Sequence, residues 1–277
     1  MDVEDSRTPL TAERLAALVG GHAALNALSV TGTTSSTNSE LLKAIDVNPH
    51  AWPHLSALVA DHQTAGRGRA GRDWFTPRGA ALTVSYVLRP VLPGDRWGLV
   101  PLAVGLAAVR TLRAEQIDAY LKWPNDVVVQ AEDDAVPGWG SMRKVAGVLC
   151  ERRGDAVVSG IGVNVSQSPD ELPVPHAASL ATLGARRLDR AVLLEALSAN
   201  VGETISELEA DPDAFVEDVS AVIATLGMEV VAELPGRPPV TGEATALAPD
   251  GSLLIRTSSG AIESVSAGDV RLRARPQ

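Results

Sequence analysis

The stretch DHQTAGRGRAGRDWFTP, residues 61–77, is the part of the chain around which the predicted fold and site are arranged. It alternates glycines with three arginines, Arg67, Arg69 and Arg72. Glycine lets a backbone approach a ligand closely without holding it rigid, and guanidinium groups offer planar donor pairs that match carboxylate or phosphate. The stretch therefore predicts a mobile cationic loop that closes over a small anionic ligand. For an isolated motif of this kind, a solvated glycine-rich turn is the alternative.

Short apolar segments on both sides of this loop predict the strands of one sheet. They are residues 55–60, 80–88, 144–151 and 156–165, the last two separated by the turn RRGD. Helices are predicted over residues 97–116, from a cap at Asp189 to Leu208, and from Asp211 to Leu226. The main part of the chain therefore combines predicted strands with predicted helices.

The C-terminal residues have a different pattern. From Met228 onward, five short strands alternate with turns rich in Gly, Pro and Asp, including the hairpin signal Asp250-Gly251. Such spacing predicts a small barrel. We therefore divide the chain into an N-terminal segment with a short helix (1–28), a main domain (29–227) and a C-terminal domain (228–277).

Composition excludes several classes of partner. The net charge of −10 over 277 residues argues against broad adhesion to nucleic acid or an anionic membrane. The single cysteine, Cys150, forbids an intrachain disulfide. We expect a cytoplasmic protein, because the N-terminus lacks an apolar signal core and no apolar run reaches the roughly 20 residues of a membrane span. One short N-terminal helix is too little for a helix-turn-helix, so we expect no DNA binding.

Two polar clusters complete the predicted site. TTSSTN, residues 33–38, begins a helix, and Thr37 and Glu40 have capping-box spacing. Its hydroxyls and amide suit a polar head group, a role compatible with plain capping. In YLKWPNDVVV, residues 120–129, proline places a lysine, an amide and a carboxylate at a strand end, where burial is costly unless they are used. An ordinary turn is the alternative there.

Six motifs in order, SSTN, GRGRxGRxW, KWPND, RKVAG, GIGVN and an AxSL near residue 178, resemble the biotin protein ligase family over about residues 30–273. The resemblance implies an α+β fold: a mixed sheet with helices on one face, similar to class II synthetases, followed by an SH3-like barrel. It implies that biotin and ATP, with Mg²⁺, form biotinyl-5′-AMP and pyrophosphate. Biotin then passes to one lysine of the biotin carboxyl carrier domain of an acyl-CoA or pyruvate carboxylase. The chain resembles members without a winged helix.

The resemblance also implies roles for individual residues. Predicted biotin contacts are Ser36, Thr37, Asn38, Gln63, Gly66, Arg67, Gly68, Arg69, Lys144, Gly147 and Gly162. Predicted ATP or adenylate contacts are Arg69, Arg72, Trp74, Lys122, Asn125, Asp126, Asn164 and Ala178. Predicted catalytic residues are Arg67, Arg69, Lys144 and Asp126. The resemblance matches Asp126 to the nucleotide side; that it assists deprotonation of the acceptor lysine is our own hypothesis.

Three rival interpretations remain at this point. A lipoate–protein ligase shares the fold and chemistry, but its RRxxGGG-type motif is absent. A non-catalytic vitamin-binding module and a DNA-binding regulator are the others.

One departure from the family pattern is about eleven extra residues, 131–141, between KWPND and RKVAG. We expect a surface hairpin that leaves Lys144 in place; if it folds over the site, it affects carrier recognition.

Overall fold

A computed structural model describes residues 7–21, 23, 25–132, 135–234 and 236–266, and the backbone of 271–274. Its helices are α1 Ala12–Leu15, α2 Thr37–Val47, α3 Val100–Ala114, α4 Arg190–Ala210 and α5 Pro212–Ser220. Its strands are β1 Ala27–Thr31, β2 Ser56–Ala60, β3 Gly66–Arg67, β4 Asp73–Trp74, β5 Ala81–Leu88, β6 Ala119–Lys122, β7 Asp126–Gln130, β8 Met142–Arg153, β9 Ala156–Asn164, β10 Glu229–Glu233, β11 Val240–Leu247, β12 Leu253–Thr257, β13 Ile262–Val265 and β14 Arg271–Ala274.

The main sheet has seven strands in the order β1-β2-β5-β9-β8-β7-β6. The β1–β2 pair is parallel and the other neighbours are antiparallel, so the sheet is mixed. One face packs against α3 and α4 in the larger core, which includes Ala57, Val59 and Leu82. The predicted α+β fold with a mixed sheet is confirmed.

The opposite face of the sheet creates room for a ligand. Helix α2 covers part of it through a small cluster that includes Leu41, Leu58 and Val158. Because side chains alternate between faces along a strand, Ser85 and Gly160 lie on the face that carries Leu58 and Val158. Polar and glycine positions beside the N-terminal start of α2 therefore leave an uncovered concavity.

Two predicted helix ends differ from the structure. The N-cap of α2 is Ser36, not Thr37; the Ser36 hydroxyl accepts from the Ser39 amide at 3.5 Å. Helix α5 ends at Ser220 rather than at Leu226. Beyond it the backbone pairs with β6, where the Leu121 amide donates to Val222 O at 2.8 Å. This tertiary pairing replaces the bonds that would continue the helix.

The C-terminal strands form a separate five-stranded sheet in the order β13-β12-β11-β10-β14, antiparallel throughout. All five strands predicted after Met228 are present. The division of the chain into domains at residues 28/29 and 227/228 stays a prediction. In the described part of the chain, one helical segment, Trp97–Ala114, is long and apolar enough to cross a membrane, but 67% of it is buried inside the fold, as in a core helix.

Candidate active site

A cavity of about 360 Å³ occupies the concavity at the N-terminal start of α2. It brings together most of the residues predicted from the sequence. Those that line it are Ser36, Thr37, Asn38, Gln63, Arg67, Gly68, Arg69, Arg72, Trp74, Asn125, Asp126, Lys144, Gly147, Gly162 and Asn164. Because these residues come from segments far apart in the chain, the fold, and not local sequence, assembles the site.

Neutral hydrogen-bonding groups form one end of the cavity. Gln63 Oε1 accepts from the Thr37 amide at 2.8 Å and from its hydroxyl at 3.1 Å. The Ser85 hydroxyl lies 2.7 Å from Thr37 Oγ1 and 2.6 Å from Asn38 Oδ1. These side chains hold one another in place on the first turn of α2, where backbone N–H groups lack intrahelical partners. This end is built for a polar, uncharged group.

Glu151 connects this neutral end to the arginine loop, and sequence analysis did not identify it. Asn38 Nδ2 donates to Leu149 O at 3.0 Å and to Glu151 Oε2 at 2.9 Å. The same Glu151 oxygen accepts from Arg67 Nη2 in an ion pair. One carboxylate oxygen thus links the loop to the helix start.

Glycines in β8 and β9 form the floor of the cavity. A Cβ at Gly160 would lie 2.2 Å from Asn38 Oδ1, and a Cβ at Gly162 would lie 2.4 Å from the Trp74 ring. At Gly147 a Cβ would approach Lys144 Nζ to 2.9 Å. Only glycine fits at these positions without displacing a neighbouring side chain.

Cations cluster at the other end. Lys144 Nζ forms an ion pair with Asp126 Oδ1 at 2.6 Å and lies 5.4 Å from the centre of the Trp74 ring. Burial opposes ionisation of Asp126, but the charges of Lys144, Lys122 and Arg72 outweigh burial and hold the pKa of Asp126 below its usual value. Of the side chains lining the cavity, four are arginine or lysine and two are aspartate, an excess of positive charge.

Three predicted residues do not line the cavity but adjoin it. Gly66 pairs with Trp74 between β3 and β4, where a Cβ would lie 2.3 Å from Trp74 O. Ala178 donates its amide to Lys144 O at 2.9 Å, and its carbonyl accepts from Asn164 Nδ2 at 3.0 Å. Lys122 is paired with the cavity residue Asp126 across β6 and β7 and is 7% exposed.

Several cavity residues were missed by sequence analysis. Thr83, Gly160 and His176 line it. A glycine inside a predicted strand indicates close approach of a ligand or another backbone; this sign was present at Gly160, but no contact was assigned to it. His176 follows an irregular segment and had no such signal. Burial and the nearby Lys144 lower its pKa to about 4, so the ring is neutral at physiological pH.

The single cysteine of the chain is not activated as a nucleophile. Burial raises the pKa of the Cys150 thiol to about 12, so it stays protonated at neutral pH. Among the described residues there is no cluster of three or more His, Cys, Asp or Glu suited to a metal ion. The arrangement can bind a ligand that is neutral at one end and anionic at the other.

Comparison with known proteins gives matches along most of the chain. Residues 30–168 match the model of the biotin/lipoate A/B protein ligase family, and residues 225–273 match the biotin protein ligase C terminal domain. A biotin–[acetyl-CoA-carboxylase] ligase of Mycobacterium tuberculosis is 35% identical over 266 residues, 91% of each chain. The bifunctional ligase/repressor BirA of Escherichia coli is 34% identical over 51% of this chain and 45% of its own.

Solved structures agree with these matches. A biotin protein ligase from Aquifex aeolicus, in complex with biotin and ATP, superposes with a TM-score of 0.74 at 29% identity. The match covers 91% of this chain and 100% of that one. The resemblance therefore extends to the whole Aquifex enzyme.

Proposed function

This chain belongs to the biotin protein ligase family, and from that premise we propose that it is an ATP-dependent ligase that attaches biotin to a carboxylase. One observation supports this most strongly: a single cavity joins a neutral hydrogen-bonding end to a cationic end. Biotin has the same polarity, since its ureido ring is neutral and its valerate chain ends in a carboxylate. ATP supplies further negative charge at the cationic end.

In the first step, a carboxylate oxygen of biotin attacks the α-phosphorus of ATP, the bond to the β-phosphate oxygen breaks, and pyrophosphate leaves. No enzyme nucleophile is needed because the carboxylate is already ionised. The protein brings two anions together and neutralises their charge. We assign this task to Arg67, Arg69 and Lys144. A hydrogen bond to a charged group is worth about 1.5–3 kcal/mol, so losing Arg69 or Lys144 slows adenylation about 10- to 100-fold.

In the second step, the amine of the acceptor lysine attacks the carbonyl carbon of the mixed anhydride, and AMP leaves as the amide forms. The acceptor must first lose a proton. Asp126 is our candidate to assist, although its lowered pKa makes it a weak base. Its ion pair with Lys144 supports a second role, holding that ammonium toward the reacting carboxylate.

At the neutral end, we propose that Ser36, Thr37, Asn38 and Gln63 bind the ureido ring. They supply donors and acceptors without a net charge, which suits a neutral urea. Arg72, Trp74, Asn125 and Asn164 are assigned to the nucleotide because they line the cavity with the cationic cluster.

Magnesium enters, in our proposal, as the substrate MgATP. Mg²⁺ commonly binds through one or two carboxylates plus substrate phosphates. The cavity offers Asp73 and Asp126, which fits a metal carried in largely by the phosphates.

We place the enzyme in the cytoplasm, where carboxylases and ATP are found together. Its acceptor is the carrier domain of an acyl-CoA carboxylase, with pyruvate carboxylase a second candidate; we propose no DNA partner.

The rival interpretations have less support. A lipoate ligase needs a pocket for an apolar dithiolane ring, whereas the ring end here is bordered by hydroxyls and amides. A non-catalytic binding module does not need the Lys144–Asp126 pair beside the cavity.

Mass spectrometry tests the proposal directly. The protein is incubated with biotin, MgATP and a carrier domain, and the carrier should gain one biotinyl group. The matched controls are Lys144→Met in the enzyme and Lys→Arg at the carrier acceptor. Lipoate in place of biotin should give no product. An unmodified carrier, together with no biotin-dependent exchange of pyrophosphate into ATP, would refute the proposal.

A further inference from the structure

The extra segment, of which residues 131, 132 and 135–141 are described, turns back toward the cavity at residues 136–140. Val136 and Gly140 form a bridge, with the Val136 amide donating to Gly140 O at 2.8 Å. Gly138 and Gly140 have φ values of 75° and 58°, a left-handed conformation that favours glycine. The resulting tight turn directs Trp139 toward the body of the protein rather than into solvent.

Trp139 packs against the wall of the cavity. Its ring stacks on His176 with centroids 4.0 Å apart and planes 11° apart. His176 lines the cavity, and its carbonyl accepts from the Lys144 amide at 2.6 Å. Lys122 Nζ lies 4.6 Å from the centre of the Trp139 ring. The expectation of a hairpin that leaves Lys144 in place agrees with this geometry, but the hairpin also reaches the site.

Lys122 is an unusual cation in this setting. It is 7% exposed, and its ammonium lies over the Trp139 ring, while Asp126 attracts it through space. Burial lowers the pKa of Lys122, an effect that Asp126 opposes and that Lys144 and Arg72 reinforce. Burying an ammonium is costly unless it is paired with an anion, so this position favours the arrival of an anionic ligand.

The Trp139 ring can hold the Lys122 ammonium without occupying its hydrogen-bond donors, which a carboxylate could not do. The face of an indole attracts a cation through its quadrupole. It offers no conventional acceptor, so all three donors of the ammonium stay available. An aspartate in the same place would use those donors and repel a phosphate.

We propose that Trp139 is a positioning residue for the nucleotide: it holds the Lys122 ammonium beside the cavity with its donors free for a phosphate oxygen of ATP. The identity of the anion rests on the function proposed above. The contact itself rests on the geometry of the hairpin. The extra residues thereby complete the nucleotide end of the site.

The test is a titration with a non-hydrolysable MgATP analogue, and separately with biotin. Trp139→Leu keeps apolar bulk but removes the ring, whereas Trp139→Phe keeps a ring. Trp97→Leu is the matched control, because Trp97 makes a similar contact with Arg152 at 3.9 Å but does not line the cavity. We expect Trp139→Leu to weaken nucleotide binding about 3- to 30-fold. Trp139→Phe should weaken it less than about threefold, and biotin binding should not change.

A double-mutant cycle with Lys122→Met shows whether the effect passes through the ammonium. In that background, Trp139→Leu should have little further effect on nucleotide affinity. Three results would overturn the inference: wild-type nucleotide affinity in Trp139→Leu, equal losses for nucleotide and biotin, or a change confined to transfer to the carrier. The titration needs no catalysis. A chain that binds nucleotide in a Trp139-dependent way but forms no adenylate would refute the proposed function alone.

Discussion

Replacing Gly160 by alanine is a small change with a specific predicted effect on the neutral end of the cavity. The added methyl would lie 2.2 Å from Asn38 Oδ1 and 3.0 Å from its Cγ. Asn38 is 4% exposed and held by Ser85 Oγ at 2.6 Å and Leu149 O at 3.0 Å. The Asn38 side chain must therefore move. Its Oδ1 then leaves the position from which, in our proposal, it accepts a hydrogen bond from the ureido ring.

The size of the effect follows from the bonds involved. One neutral hydrogen bond is worth about 0.5–1.5 kcal/mol, and the Ser85 contact that also orients Thr37 is disturbed. We expect a loss near 1.4 kcal/mol, which is about tenfold in biotin affinity. Isothermal titration with biotin measures this, and titration with a non-hydrolysable MgATP analogue should give a wild-type value.

Gly94→Ala is the control for this prediction. A Cβ at Gly94 meets nothing within 4 Å, and its φ lies outside the left-handed region. This variant should bind biotin as the wild type does. The reasoning fails if Gly160→Ala, folded by circular dichroism, binds biotin with unchanged affinity, or if it weakens nucleotide binding just as much.

Three further predictions concern individual side chains. Glu151→Gln removes the charge that Arg67 and Asn38 share, so we expect biotinyl-adenylate to dissociate about threefold faster; a wild-type dissociation rate in a rapid-dilution assay contradicts the linking role. If Asp126 assists the acceptor lysine, Asp126→Asn transfers biotin from preformed adenylate at least about tenfold more slowly; transfer at the wild-type rate excludes that role. Burial lowers the pKa of His176 from 6.5 to about 4, so the unfolded chain binds this proton first as pH falls. Between pH 7 and pH 5 the unfolding free energy should therefore fall by about 1–2 kcal/mol less in His176→Phe than in the wild type. Urea titrations at the two pH values measure this, and an equal fall in both proteins would contradict it.

The parts of the fold that local pattern controls were predicted from sequence. Strands β8 and β9 follow from two apolar runs separated by a tight turn, and the helix cap at Asp189 follows from residue type. Helix α5 was predicted too long because its end depends on pairing with Leu121, a contact between residues about a hundred positions apart.

The candidate site divides in the same way. Motifs identified the arginine loop and the polar start of α2, because several chemically suitable side chains lie close together in sequence. Glu151 and Trp139 were missed, since each acts only through partners from other elements. Glu151 lies 113 positions from Asn38, and Trp139 lies in a segment that departs from the family pattern. Only the folded arrangement reveals such roles.

A crystal structure with a non-hydrolysable biotinyl-adenylate analogue tests the central claim most directly. We predict that the ureido ring lies beside Asn38, with Lys144 Nζ and a guanidinium of Arg67 or Arg69 within hydrogen-bond distance of the acyl-phosphate group. An adenylate seated in the cavity while the arginine loop points away, with none of these cations touching it, would contradict the account.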